Sequence, residues 1–233
     1  MGFWDGYWKS LKPLDVEEPI DVWVHRPLAY VLSRAVYPTP ISPNMITLAS
    51  IAVGVGAGAC MFAEFEHHLV FAGVALFLSA VLDCADGQLA RMRGTSSVFG
   101  RMLDGTADLV VSSVVVAGGT YVVWSQYRDP WWLGLIAIAM CVATIVTGSF
   151  HTGGYDHYKN LFLRFTEPNF REGEDYETAR ARYLAGGEQG SLAVRFAWRC
   201  YLFYVKSQSD WVTGFDRAAA GSKPATQSLC DFT

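Results

Sequence analysis

Apolar residues run almost unbroken through residues 45–63, 69–92, 98–124 and 131–150, each close to the roughly 20 residues needed to cross the hydrocarbon of a bilayer. A weaker apolar run covers residues 191–215. The pattern predicts an all-α, polytopic transmembrane bundle with four clear spans and a further membrane or interfacial helix at 191–215. The first 42 residues differ: Trp4, Trp8, Trp23, Tyr30 and Tyr37 alternate with charged positions, the composition of a juxtamembrane segment. Within it, residues 21–37 read as an amphipathic helix lying in the interface and broken near Pro27, with an ordinary soluble helix as the competing reading. Residues 159–190 are too polar to span and read as a cytoplasmic loop with some helix around 176–184, and 216–233 as a small, polar, disordered tail. The expected organisation is therefore 1–42 juxtamembrane, 43–158 transmembrane core, 159–190 loop, 191–215 additional helix and 216–233 tail.

Basic residues set the expected orientation, because Lys and Arg accumulate in loops that stay cytoplasmic. Lys9, Lys12, Arg26 and Arg34 precede the first span; Arg91, Arg93 and Arg101 surround the second turn; Lys159, Arg164 and Arg171 follow the fourth span. The opposite loops carry Glu64, Glu66, His67 and His68 in one case, and Arg128 with Asp129 in the other. A cytoplasmic N-terminus follows, with Trp124, Trp131 and Trp132 as an aromatic belt on the far side. In the first span Gly54 and Gly58 form a small-xxx-small pair suited to close helix approach.

Charge and cysteine usage narrow the function classes. A net charge of −4 without any Lys/Arg cluster excludes a nucleic-acid footprint. The five cysteines are scattered and mostly sit in apolar runs, so they read as small buried hydrophobes and give no disulfide framework or zinc ribbon. The MGFWDG start lacks both a signal-peptide core and the Ser/Thr of a myristoylation signal, and Asp231 spoils the prenylation outline of the last four residues.

Against this apolar background, residues 83–108 read DCADGQLARMRGTSSVFGRMLDGTAD, with four carboxylates at fixed spacing. Carboxylates in a bilayer are expensive unless a cation sits among them, so the run points to a metal site. Residues three and four apart share a helix face. Asp83, Asp86, Gly87 and Ala90 then line one stripe of a first helix with Arg91 at its margin, and Gly100, Asp104 and Asp108 follow at i,i+4 on a second. A short polar turn makes the two helices antiparallel and sets the acidic pairs facing each other, their repulsion relieved by divalent cations. Oxygen-only ligands favour magnesium or manganese over zinc. An EF-hand loop is excluded by Gly94, which stands where the twelfth-position Glu is required. Asp83 precedes Met92 by nine residues, which places it about 13 Å inside the helix end, below the surface yet open to the cytoplasm.

The same run resembles, without gap or substitution, the signature of the CDP-alcohol phosphotransferase family, D-x2-D-G-x2-A-R-x8-G-x3-D-x3-D. Asp83, Asp86, Gly87, Ala90, Arg91, Gly100, Asp104 and Asp108 fill its fixed positions. Pro43, Asn44 and Thr47 are similar to the family's upstream P-N-x-x-T element. The family usually has six membrane helices, whereas this chain shows four clear spans, with a fifth and a sixth left open, so either its last helices are unusually polar or part of its C-terminal region is missing.

The resemblance implies a transferase that moves a phosphoryl-linked group from a CDP-activated compound to an alcohol and releases CMP. It implies that Asp83, Asp86, Asp104 and Asp108 hold two Mg2+ or Mn2+ ions, with Asp83 and Asp104 bridging both. Asp108 is expected to take the proton from the attacking hydroxyl. Gly87 and Ala90 are expected to leave room for the cytidine, Arg91 to bind the diphosphate, and Asn44, Thr47 and Ser97 to add donor contacts. Gly100 is expected to permit tight packing of the third span. His151, Tyr155, His157 and Lys159 are either part of an acceptor pocket or interface-dwelling polar residues. The expected partners are a CDP-linked lipid donor, an alcohol acceptor, membrane lipid and a second copy of the chain as a homodimer. Two enzymatic readings stay open: CDP-diacylglycerol donating to a small polar alcohol, or CDP-choline or CDP-ethanolamine donating to a lipid hydroxyl such as that of diacylglycerol. A magnesium transporter is a remote third, because the polar groups gather at one end of the spans instead of lining a path.

Overall fold

The structure, a computed structural model, describes residues 2–63, 65–95, 98–126, 130–166, 176–186 and 192–220. The described residues form helices and connecting turns without strands: α1 (Phe3–Ser10), α2 (Arg26–Val36), α3 (Pro43–Met61), α4 (His68–Arg93), α5 (Val98–Gln126), α6 (Trp132–Thr166), α7 (Tyr176–Gly186) and α8 (Leu192–Ala220). Four of them contain stretches long and apolar enough to cross a membrane: Pro43–Met61, His68–Arg93, Leu103–Gln126 and Trp132–Lys159. These correspond to the four apolar runs of the sequence. α8 occupies the weaker fifth run and is helical, but it does not join those four. α6 continues to Thr166, past the end of the apolar run at residue 150, because helix formation outlasts the hydrophobic stretch that hydropathy detects.

The chain divides into two compact units, residues 1–146 and 147–233. In the first, α3 is the central element: α4 and α5 each pack along it, and α2 lies on α4. The α3–α4 seam is stitched by reciprocal bonds, Ser50 Oγ to the Ser79 carbonyl and Ser79 Oγ to the Ser50 carbonyl, both 2.9 Å. Satisfying both hydroxyls within the seam removes the cost of burying them in an apolar helix pair. The α3–α5 seam depends on absent side chains. A Cβ on Gly54 would lie 2.7 Å from Val111 Cγ1, and one on Gly118 would lie 2.9 Å from the Gly58 carbonyl oxygen. The Gly54/Gly58 pair expected to allow close approach therefore does so, against α5.

α3 begins with Ser42, whose Oγ accepts from Met45 N at 3.3 Å, followed by Pro43 in the first turn, the arrangement that suits a helix start. α4 ends at Gly94 in the left-handed region (φ 64°), where a Cβ is unfavourable and the chain can reverse toward α5.

The N-terminal segment is more ordered than an interfacial helix alone. A single wide π turn at Asp21–His25 leads directly into α2, and Pro27 falls in the first turn of that helix. The expected break at Pro27 is thus absorbed just before it, where the widened turn accommodates the missing N–H. Tyr7, Leu11, Val22 and Tyr30 form a small core with Met92 packed against it. Burial, with a smaller contribution from Glu17, raises the Tyr7 phenol above its ordinary value, and its neutral hydroxyl donates to the Val22 carbonyl. Arg26 pairs with Glu17 at 3.2 Å, with both side chains almost wholly buried. Trp4, Trp8 and Trp23 stay exposed, as an aromatic face at a membrane interface would be.

In the second unit, Phe150 of α6 packs its ring on Trp211 of α8 at 5.4 Å, and Tyr183 of α7 packs on Trp198 of α8 at 6.0 Å.

Candidate active site

α4 and α5 both pack on α3, and a cleft lined by residues of all three helices lies between them, with Asp83 and Asp108 in its wall. One ligand oxygen each from Asp83, Asp86 and Asp104 lies within 4.8 Å of the other two. A magnesium–oxygen distance of about 2.1 Å puts opposed ligand oxygens about 4.2 Å apart, so this triplet fits a hard divalent ion with small adjustments. The donor chemistry agrees, since all three offer carboxylate oxygen. Asp86 is buried (6% exposed) and Asp104 is exposed, so the triplet spans from the protein interior to the open cleft.

Asp86 is held from outside its own helix. Thr47, 3% exposed on α3, donates its hydroxyl to Asp86 Oδ2, while the Pro43 carbonyl lies 3.2 Å from the same Oγ1. A hydroxyl has one proton, and the carboxylate is the stronger acceptor. The structure thus sets Thr47 behind a candidate metal carboxylate, a location its expected role as a donor contact did not anticipate.

Asp108, on α5, adds the fourth carboxylate of the signature. It shares with Asp83 a cavity of about 250 Å³ whose walls also include Ser50, Leu76, Ala80 and Val111, on the side of the cluster away from the α4 C-terminus. Asp21 and His25 close the far wall, with His25 Nδ1 2.7 Å from Asp21 Oδ1.

On the opposite side, Gly87, Ala90 and Arg91 are half-buried near the end of α4. A Cβ on Gly87 would meet Arg91 Nη1 at 3.4 Å, so the guanidinium lies over the glycine in the space expected for cytidine. Asn44 is half-buried in the first turn of α3, and Gly100 is half-buried on α5 one turn before Asp104. Ser97 lies outside the described residues. His151, Tyr155, His157 and Lys159 all belong to α6 in the second unit, where Lys159 pairs with Asp156 at 3.0 Å and sits 5.7 Å from the Tyr155 ring centroid.

Arg93 does more than anchor the helix to a charged interface. Its guanidinium donates to four main-chain carbonyls, Val36, Tyr37, Thr39 and Ile41, at 2.5–3.0 Å. These carbonyls lie where α2 ends and the chain turns into α3, and Val36 also accepts from the Thr39 N–H and hydroxyl. Only the tertiary fold brings that turn to Arg93, and no local signal in the sequence marks it.

Four helices long and apolar enough to cross a membrane, two of which bring together an acidic cluster that could hold a metal ion, define an integral membrane protein. The family model described as CDP-alcohol phosphatidyltransferase matches residues 40–156, and the chain belongs to that family. It is similar to phosphatidylinositol phosphate synthase of Mycobacteroides abscessus, 33% identical over 123 residues, which cover 53% of this chain and 50% of the relative. It is also similar to archaetidylinositol phosphate synthase of Pyrococcus horikoshii (34% over 81 residues, 34% of this chain and 40% of the relative). CDP-diacylglycerol–serine O-phosphatidyltransferase of Helicobacter pylori is 33% identical over 84 residues, 36% of this chain and 34% of the relative. The chain spans about half the length of the first of these curated relatives, and the residues matched by the family model hold the entire acidic signature.

Proposed function

We propose that this protein transfers a phosphatidyl group from CDP-diacylglycerol to a small polar alcohol and releases CMP. The observation that carries the reading is the convergence of Asp83, Asp86 and Asp104 oxygens in the cleft between α4 and α5, within a chain of this family. The alcohol oxygen forms a bond to the phosphatidyl phosphorus, the bond from that phosphorus to the CMP oxygen breaks, and the hydroxyl proton goes to Asp108.

Asp83, Asp86, Asp104 and Asp108 would hold two Mg2+ or Mn2+ ions, which neutralise charge on the diphosphate and on the departing nucleotide when bound. Thr47 orients Asp86 by donating to its Oδ2. Arg91 offers its fork to the diphosphate, and Gly87 with Ala90 keeps the α4 surface low beside it. Asp108 faces the cavity, where a hydroxyl can come within hydrogen-bond reach of its carboxylate. The catalytic core in this reading is residues 43–158. Its acidic end and the N-terminus face the cytoplasm, as the distribution of Lys and Arg supports.

Inositol phosphate is the first acceptor to test, because several relatives are named phosphatidylinositol phosphate synthase. Purified protein in lipid vesicles, given labelled CDP-diacylglycerol with Mg2+ or Mn2+, should release CMP when inositol phosphate, inositol, glycerol phosphate or serine is supplied. Release that depends instead on CDP-choline or CDP-ethanolamine with diacylglycerol would reverse donor and acceptor. Metal flux without CMP would replace the enzyme with a transporter.

A further inference from the structure

Arg91 is tied to a residue far away in sequence. Its Nε donates to the main-chain carbonyl of Ser10 at 2.7 Å, at the C-terminal end of α1. Gln88, fully buried three residues earlier on α4, donates from Nε2 to Ser10 Oγ at 3.1 Å. Ser10 Oγ donates in turn to the Tyr7 carbonyl at 2.7 Å. Both the backbone and the side chain of Ser10 are thereby engaged with α4 between Gly87 and Arg91, while the residue itself is 2% exposed.

The partner that grips Arg91 is rigid. The Tyr7 ring packs edge-on against Tyr30 at 5.7 Å, its hydroxyl is committed to Val22, and Gly6 leaves room for the Tyr30 hydroxyl where any side chain would collide. Nε and both Nη atoms of a guanidinium share one plane, so a hydrogen bond at Nε fixes the direction in which the other edge points. Here that plane is laid over Gly87, the glycine of the signature.

We infer that Ser10 is a positioning residue for Arg91, and that α1 is part of the site that grips the anionic diphosphate of a CDP-linked donor. The inference rests on the proposed function for the assignment of Arg91 to the diphosphate. The competing account is a clamp, in which Arg91 only fastens α1 to α4. Positioning makes donor affinity depend on Ser10 through Arg91, whereas a clamp makes only stability depend on it.

The test uses the full-length protein in lipid nanodiscs, with equilibrium binding of CDP and CMP-release kinetics at varied CDP-diacylglycerol and varied acceptor. Ser10→Ala and Gln88→Leu each remove the Gln88–Ser10 bond that holds the Ser10 carbonyl against Arg91, without removing the carbonyl itself, and Ser10→Thr keeps a hydroxyl in place. Both disrupting variants should weaken CDP binding and raise the donor KM about three- to tenfold, the scale of losing one pre-ordered side chain, with the acceptor KM unmoved. Ser10→Thr should restore the wild-type donor KM, and Ser10→Ala should add nothing on an Arg91→Ala background. Unchanged CDP binding in both disrupting variants overturns the inference. So does an equal effect of Ser10→Ala with and without Arg91, or a loss of thermal stability with donor and acceptor constants moved alike. A wild-type protein that binds CDP yet releases no CMP refutes the proposed reaction and leaves the binding arm to decide this one. A wild-type protein that binds no CDP overturns both.

Discussion

Thr47 of α3 donates its hydroxyl to Asp86 Oδ2 of α4, so a candidate metal carboxylate is oriented by a neighbouring helix. Thr47→Val keeps the shape and removes the donor, and it should weaken Mg2+ or Mn2+ activation about 10-fold or more, in line with other partners that orient metal ligands. Thr47→Ser should recover most of the loss. The metal concentration giving half-maximal CMP release, measured in vesicles, checks both; unchanged activation in Thr47→Val removes Thr47 from the site.

The four carboxylates should separate by role. Asp83→Asn, Asp86→Asn and Asp104→Asn are expected to abolish metal-dependent turnover, as is chelation of the metal in the unaltered protein. Asp108→Asn should retain CDP-diacylglycerol binding while kcat falls about 10²–10⁴-fold, the usual contribution of a positioned general base. Wild-type turnover in Asp108→Asn would remove it as the base.

Close approach of α3 and α5 at Gly58 and Gly118 leaves no space for larger side chains. Gly118→Leu should destabilise the protein by about 1–3 kcal/mol, the usual cost of overpacking a seam, while Gly119→Leu, where nothing lies within 4 Å of a Cβ, should cost less. Unfolding in detergent, followed by helical circular dichroism, distinguishes the two positions.

Arg93 closes the turn between α2 and α3 through four carbonyls. Arg93→Met should cost about 1 kcal/mol by removing charge-assisted hydrogen bonds to these partly exposed carbonyls. Arg93→Lys should recover only part, because an ammonium lacks the planar fork that reaches several carbonyls at once. Faster amide exchange confined to residues around the α2–α3 turn is the expected signature.

Hydropathy found the four membrane-crossing helices because a bilayer demands long apolar stretches whatever the tertiary context. It lost α6 after residue 150, where the helix continues through polar residues to Thr166. Helical arithmetic anticipated the meeting of Asp83, Asp86 and Asp104, since a short turn and i,i+3 or i,i+4 spacing leave few alternatives. It could not foresee the bond from Thr47 to Asp86 or the carbonyls around Arg93, because both depend on how α3 and the α2–α3 turn come to rest against α4. The hold of Ser10 on Arg91 was hidden for the same reason: the two are 81 residues apart, and nothing local in either segment refers to the other.

α4 and α5 are each fastened along α3, a helix that carries none of the acidic residues. The width of the jaw is therefore set by its hinge pin and not by its teeth. A lineage that exchanged one small residue for another along that pin could retune the gap for a different headgroup while leaving every chemically active side chain untouched.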